Sequence, residues 1–206
     1  FGIVVEVNCE TDFVAKNDDF SAFAHSIADY ALENKVADKD ALIATPWEGK
    51  TLGEILIDKT AVIGEKIEVS NYALVASEGV AAYNHGANRI GVLVALNSND
   101  DTALSAGGDL AMQIAAMNPI AVDADAVPQE VKDKELKIGR EIAEQEGKPE
   151  AMLDKIAQGK LQRYYKDNTL MAQSFVKDGS MNVAAFLKSV NPDLKVKSFT
   201  RFQLGA

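Results

Sequence analysis

An internal near-repeat constrains the fold of this 206-residue chain more than any other feature of its sequence. The segment Gly2–Asn8, GIVVEVN, matches Gly91–Asn97, GVLVALN, and polar residues follow each copy before apolar residues begin at helical spacing. The apolar runs predict strands, and the spacing after them predicts helices. The sequence therefore indicates two copies of one strand–loop–helix unit.

Capping residues place the ends of the predicted helices. Asn17-Asp18 can cap the helix of the first copy, and Asp100-Asp101 can cap the helix of the second. Thr51 and Glu54 have the spacing of a capping box and predict a further helix start, and Gly64 ends that helix. Its predicted apolar face consists of Leu52, Ile55, Leu56, Val62 and Ile63.

The remaining strands complete a small sheet in each copy. We predict a strand at Ile67–Val75, a hairpin that runs from Gly79 through the turn Tyr83–Asn88 to Asn97, and a closing strand at Leu194–Leu204. The predicted fold class is α+β, with two related subdomains that each consist of a small antiparallel sheet covered by helices. The N-terminal core subdomain is expected at 1–78 and the C-terminal core subdomain at 79–206.

Long charged helices follow Asp123. One begins at Pro128 and another at Pro149, because proline favours the first turn of a helix, and Gly147 lies in the turn between them. We predict a projecting antiparallel helical hairpin at about 128–168, within the C-terminal subdomain. Its apolar seam is expected from Val131, Ile138, Ile142, Leu153, Ile156 and Leu161.

Composition excludes several classes of function. A net charge of -10 repels phosphate backbones, so direct binding of nucleic acid is not expected. No apolar run approaches the 18 residues of a membrane span, and the single cysteine excludes an internal disulfide, so a cytoplasmic location is expected. Because Phe1 opens a strand without a start methionine, we expect a preceding segment in the full protein.

No motif for catalysis, a cofactor or a metal is found. A phosphate-binding loop is missing, and Gly107-Gly108 falls inside a helical pattern. Two histidines and one cysteine cannot form a structural zinc site. No signature places Cys9 near His25 or His85, so we assign no catalytic pair and expect a protein that is not an enzyme.

The segment Thr11–Ala15 places Phe13 and Val14 between a strand and a helix cap, where connections run over the surface. Phe13 aligns with Thr102 in the second copy, so the repeated unit does not itself require an aromatic residue there. Two hypotheses remain open from the residues alone. Phe13 is a contact for a partner protein, or Phe13 or Val14 folds back on the helix as a hydrophobic staple.

Two further segments, a predicted hairpin turn and a predicted helix end, can each be interpreted as ordinary structure or as part of a functional site. His85 and Gly86 fall in the predicted hairpin turn, and Ile63-Gly64 ends a helix in an apolar pair. Each is typical of a polar turn group or a helix cap. Together with Phe13 they can instead form one composite surface with an aromatic anchor, as in protein-binding sites.

The run Glu6–Asn17, EVNCETDFVAKN, closely resembles the signature of bacterial elongation factor Ts, the guanine-nucleotide exchange factor of elongation factor Tu. The resemblance continues in order along essentially the whole chain. It includes Ile63–Glu65, Tyr83–Gly86, Arg89–Val94, Gly159–Leu161, Gln173–Asp178 and Arg201-Phe202.

The resemblance implies a two-subdomain core with a helical hairpin that binds the GTPase elongation factor Tu. In that family an aspartate and a phenylalanine of the signature loop enter the GTPase near its magnesium site. This implies the same role for Asp12 and Phe13, with Thr11 and Val14 beside them. The positions implied as further partner contacts are Ile63, Gly64, His85 and Gly86.

Two departures from the family and two competing hypotheses accompany this prediction. The three-helix N-terminal domain of the family is absent from this sequence, and the stretch between His85 and Arg89 is longer than in some relatives. A scaffold that dimerises through the acidic hairpin is the main alternative, and an enzyme is the least favoured. Self-association through the C-terminal subdomain is a further hypothesis about partners.

Overall fold

A computed structural model describes residues 1–205 and has strands and helices along most of that length. The strands are β1 (Gly2–Asn8), β2 (Pro46–Trp47), β3 (Lys50–Thr51), β4 (Glu68–Val75), β5 (Gly79–His85), β6 (Ile90–Leu96), β7 (Ser174–Phe175), β8 (Asp178–Asn182) and β9 (Val196–Gln203). The helices are α1 (Asp12–Ala15), α2 (Asp18–Glu33), α3 (Lys39–Ile43), α4 (Leu52–Ile63), α5 (Asp101–Met117), α6 (Gln129–Gln145), α7 (Glu150–Asn168) and α8 (Val183–Val190).

The predicted α+β fold with small antiparallel sheets is confirmed. β1 pairs antiparallel with β4 in the first sheet, and β6 lies between β5 and β9 in the second. The likeness between the copies extends beyond their first strands, because each ends with a short hairpin, a helix and a strand. Both pairings also shift register at corresponding points, between Glu6 and Val7 in β1 and between Ala95 and Leu96 in β6.

Successive side chains of the repeated strands point to opposite faces of each sheet. Val5 of β1 packs with α2, α3 and α4, and its counterpart Val94 packs with α5 and α8. The buried residues of the first cluster are Ile27, Ala31, Val36, Leu42, Leu52, Leu56, Ile67 and Val69. Those of the second include Val92, Leu96, Leu110, Ile114, Leu170, Phe175, Val183, Leu187 and Leu194. Each sheet therefore has its own helical layer, and we keep 1–78 and 79–206 as the proposed boundaries.

The other faces of the two sheets pack against each other through a reciprocal glycine contact. A Cβ on Gly91 would lie 2.7 Å from Cγ2 of Val4, and a Cβ on Gly2 would lie 3.2 Å from Cδ2 of Leu93. Gly2 corresponds to Gly91 in the repeat, and Val4 corresponds to Leu93. The two units thus meet with approximate two-fold symmetry, and the molecule is layered as helices, sheet, sheet, helices.

The predicted helix caps are confirmed. Asn17 accepts hydrogen bonds from the amides of α2, and Asp100 accepts one from the Ala103 amide of α5. Thr51 and Glu54 form the complete capping box of α4, and Gly64 ends that helix in the left-handed region at a φ of 78°.

Several sequence predictions need correction. Val62 and Ile63 are exposed and do not belong to the buried face of α4. His85 ends β5, so the turn of that hairpin is shorter than predicted. Thr102 lies inside α5 and is not the counterpart of Phe13, because the first copy carries an insertion between strand and helix. The sequence also did not reveal α1, α3 or the short hairpins β2–β3 and β7–β8.

The helical hairpin forms from α6 and α7, and the predicted seam is correct at Leu153 and Leu161 but wrong on α6. Ile138 and Ile142 are exposed, and the seam consists of Gly139, Ala143, Leu153, Ala157 and Leu161. A Cβ on Gly139 would lie 3.1 Å from Cα of Ala157, so small residues let the two helices approach closely. Among residues 1–205, no helix has both the length and the apolar character needed to span a membrane.

Candidate functional site

Phe13 projects into solvent from a single helical turn. α1 is 4 residues long and contains no buried residue, and Phe13 itself is 89% exposed. Thr11 is the N-cap residue of α1, and its hydroxyl accepts from the Val14 amide at 3.4 Å. We call residues 11–15 the Phe13 turn.

The inward contact expected of a hydrophobic staple is made by Val14 and not by Phe13. Val14 is partly buried and packs against the first hydrophobic cluster, beside residues of α2. Phe13 does not fold back on the helix. The staple-like contact therefore belongs to Val14, and Phe13 faces outward.

Glu65 joins the Phe13 turn to the end of α4. One carboxylate oxygen accepts from the amides of Glu10 at 3.1 Å and Thr11 at 2.9 Å, and the other accepts from the Thr11 hydroxyl at 2.6 Å. These contacts place Ile63 and Gly64, which immediately precede Glu65, beside the turn. Two of the predicted groups, Thr11–Val14 and Ile63-Gly64, are thus brought together.

His85 and Gly86 lie at the end of the β5–β6 hairpin. The Tyr83 hydroxyl and Nδ1 of His85 are 3.0 Å apart, and the His85 side chain is exposed. Gly86, Ala87 and Asn88 have positive φ values of 62°, 54° and 65°, which form the tight turn. The hydrogen bond and the ring contact described for His85 are both with Tyr83 and do not involve the Phe13 turn.

An open groove of about 1070 Å³ separates the Phe13 turn from this hairpin end. Cys9 and Thr11 line one side, and Asn84 and Ala87 line the other. Of the predicted site residues, Thr11 and Asp12 line this groove. Within residues 1–205, acidic, histidine and cysteine side chains do not gather in a group that could hold a metal ion.

The contacts between Glu65 and Thr11 also change the pKa values of nearby groups. The hydrogen bond from the Thr11 hydroxyl lowers the pKa of Glu65 below its ordinary value, so the carboxylate is charged at neutral pH. Burial raises the pKa of the Cys9 thiol, and the charges of Glu65 and Asp12 raise it further. Cys9 is therefore mostly protonated near neutral pH.

Sequence reasoning missed three residues of this region. Glu65 was not among the predicted site residues, because its role depends on a contact between residues 54 positions apart. Ile57 and Val62 are exposed apolar residues of α4, at 69% and 86%, and periodicity alone assigned Val62 to the core. Val62 is next to Ile63 in the chain and adds an exposed apolar side chain there.

Comparison with known proteins decides the family. A family model described as Elongation factor TS matches residues 10–206. The chain belongs to the elongation factor Ts family. Elongation factor Ts of Christiangramia forsetii is 44% identical over 204 residues, which is 99% of this chain and 74% of the relative.

Other members of the family show similar agreement. Elongation factor Ts of Porphyromonas gingivalis is 42% identical over 207 residues, covering 100% of this chain and 75% of the relative. That of Chlorobium phaeobacteroides is 39% identical over 216 residues, again with 100% and 75% coverage. The chain therefore has the role of a translation elongation factor.

Proposed function

We propose that the chain binds the GTPase elongation factor Tu and accelerates the release of its bound GDP. The observation that carries this proposal is Phe13, a large apolar side chain that is 89% exposed on a turn anchored at both ends. Aromatic side chains presented in this way are typical anchors of protein interfaces. Membership in the elongation factor Ts family supports elongation factor Tu as the partner.

The proposed mechanism requires no covalent step. A protein that binds the nucleotide-free GTPase more tightly than the loaded one lowers nucleotide affinity by the same coupling free energy. Phe13 enters the GTPase and displaces groups that position magnesium. Losing the metal removes much of the positive charge that holds the phosphates.

The residues around Phe13 have supporting roles in this proposal. Thr11, Asp12 and Val14 belong to the same turn, and Ile63 and Gly64 form an apolar border beside it. His85 and Gly86 are proposed contacts from the end of the β5–β6 hairpin, where the exposed imidazole can donate or accept a hydrogen bond. The helical hairpin provides a second region of contact with the GTPase.

Release of fluorescent GDP from elongation factor Tu tests the proposal. Adding the unsubstituted chain should accelerate release in proportion to its concentration until binding saturates. A scaffold that only assembles with other proteins would leave the rate unchanged, and that result would contradict the proposal.

The proposed location is the cytoplasm, where translation takes place, with no direct contact to nucleic acid. Self-association through the C-terminal subdomain remains a separate hypothesis.

A further inference from the structure

We propose that Glu65 is a positioning residue of the exchange site, because it completes the N-terminal cap of α1 from a distant part of the chain and so fixes the direction of Phe13. This inference rests on the proposed function for its effect on nucleotide release. The contact itself is between residues 54 positions apart.

The Phe13 turn cannot be ordered by its own backbone. α1 is 4 residues long, whereas isolated helices shorter than about 12 residues are marginal in water. No residue of α1 is buried, and the Thr11 hydroxyl reaches the Val14 amide only at 3.4 Å. The order of the turn must therefore come from contacts with the rest of the molecule.

The capping box of α4 shows what α1 lacks. At α4, Glu54 accepts from the amide of Thr51 at 2.7 Å and from its hydroxyl at 3.0 Å. Thr11 holds the same N-cap position in α1, but the residue three places later is Val14, which has no acceptor. Glu65 supplies that acceptor, because it binds the amide and the hydroxyl of Thr11 as Glu54 binds those of Thr51.

The chain is fixed on both sides of Glu65. Gly64 turns the chain at a φ of 78°, and the amide of Ile67 donates to the Thr60 hydroxyl at 2.9 Å. Ile67 is buried in the first cluster. Glu65 thus lies in the chain between the Gly64 turn and the buried Ile67, and its hydrogen bonds connect this segment to Thr11 of the Phe13 turn.

The test compares Glu65→Ala with Glu54→Ala, since both remove a glutamate that accepts hydrogen bonds from the amide and the hydroxyl of an N-cap threonine. Glu65→Ala should lower stimulated GDP release by about fivefold, the factor that corresponds to one net hydrogen bond. Glu54→Ala should leave release per folded molecule unchanged. Glu65→Gln, which keeps one acceptor oxygen, should recover part of the loss.

Two further measurements separate positioning from general stability. In the isolated chain, Glu65→Ala should increase hydrogen exchange of the Glu10 and Thr11 amides while the melting transition stays cooperative. In a double-mutant cycle, Glu65→Ala should add little to Phe13→Ala, because Glu65 acts through Phe13.

The outcomes are distinguishable. An unsubstituted chain without exchange activity refutes the proposed function. An active chain in which Glu65→Ala equals Glu54→Ala, or in which its effect adds fully to that of Phe13→Ala, refutes the positioning role of Glu65 alone.

Discussion

The side chain of Phe13 does not contribute the burial free energy that most phenylalanines contribute to folding. Burying such a side chain stabilises a protein by about 1.5–3 kcal/mol, whereas Phe13 is 89% exposed. Phe175, by contrast, is buried and stacks on Phe186 with ring centroids 4.2 Å apart. Because the apolar area of Phe13 makes no packing contact in the fold, it is available to a partner.

The two phenylalanines give a matched prediction. Phe13→Ala should cost under about 1 kcal/mol of stability, and Phe175→Ala should cost about 3–5 kcal/mol. Stimulated GDP release should fall more than about tenfold for Phe13→Ala, the usual effect of losing an interface anchor. Thermal melts and fluorescent-GDP release measure both quantities. A destabilised Phe13→Ala with normal release per folded molecule would contradict the anchor role.

The pKa of Cys9 provides an independent readout of Glu65. Burial raises that pKa, and the Glu65 charge raises it further. Glu65→Gln removes the charge, so the pKa of Cys9 should fall and the thiolate should appear at lower pH. The pH dependence of alkylation by iodoacetamide measures the midpoint, since Cys9 is the single cysteine. Glu54→Gln should leave the midpoint in place, and an unshifted midpoint in Glu65→Gln would contradict the assignment.

Sequence reasoning was informative at this scale where a residue acts through its neighbours in the chain. Asn17, Thr51 and Asp100 were predicted as caps because a cap and its helix are adjacent. Glu65 could not be identified as a cap, because nothing within α4 or β4 indicates that its carboxylate reaches Thr11.

At the scale of elements, α5 contains two adjacent glycines in different surroundings. A Cβ on Gly107 would lie 2.7 Å from Cβ of Ala81 and 2.8 Å from Cδ1 of Leu96, whereas a Cβ on Gly108 meets nothing within 4 Å. The helix needs a glycine at the first position in order to lie close to β5 and β6.

This contrast predicts that a glycine-to-alanine substitution has different effects on stability at the two positions. Gly108→Ala should stabilise the protein by up to about 1 kcal/mol, the helix propensity of alanine over glycine. Gly107→Ala gains the same propensity but overpacks the core, so it should be less stable than Gly108→Ala by about 1–3 kcal/mol. Urea titrations of both variants measure the difference, and equal stabilities would contradict the packing described for α5.

Element length explains which parts of the fold were predictable. Long helices and paired strands repeat their pattern often enough to be recognised, as in α5 and β6. Two-residue strands such as β2 and β7 have no detectable period. The four-residue α1 was also missed, and without it Phe13 was aligned with Thr102, although the insertion has no counterpart in the second copy.

At the scale of the whole molecule, the reciprocal contact of Gly2 and Gly91 joins the two hydrophobic clusters. We expect residues 1–206 to unfold in one cooperative transition. Trp47, the single tryptophan, lies in the first cluster and reports on that unit alone, while far-ultraviolet circular dichroism reports on both. The two midpoints should coincide, with protected amides at Val4–Val7. Separate midpoints would show that the units unfold independently.

The contact between Glu65 and Thr11 also sets an order of events during synthesis. The chain emerges from its N-terminus, so Phe13 is made well before the glutamate that fixes its direction. The turn receives its cap only after α4 has formed and β4 has paired with β1, because that pairing brings residues 54 positions apart together. A nascent chain therefore displays Phe13 without a fixed direction, and it gains the ability to engage its partner as one of the last steps in folding the first unit.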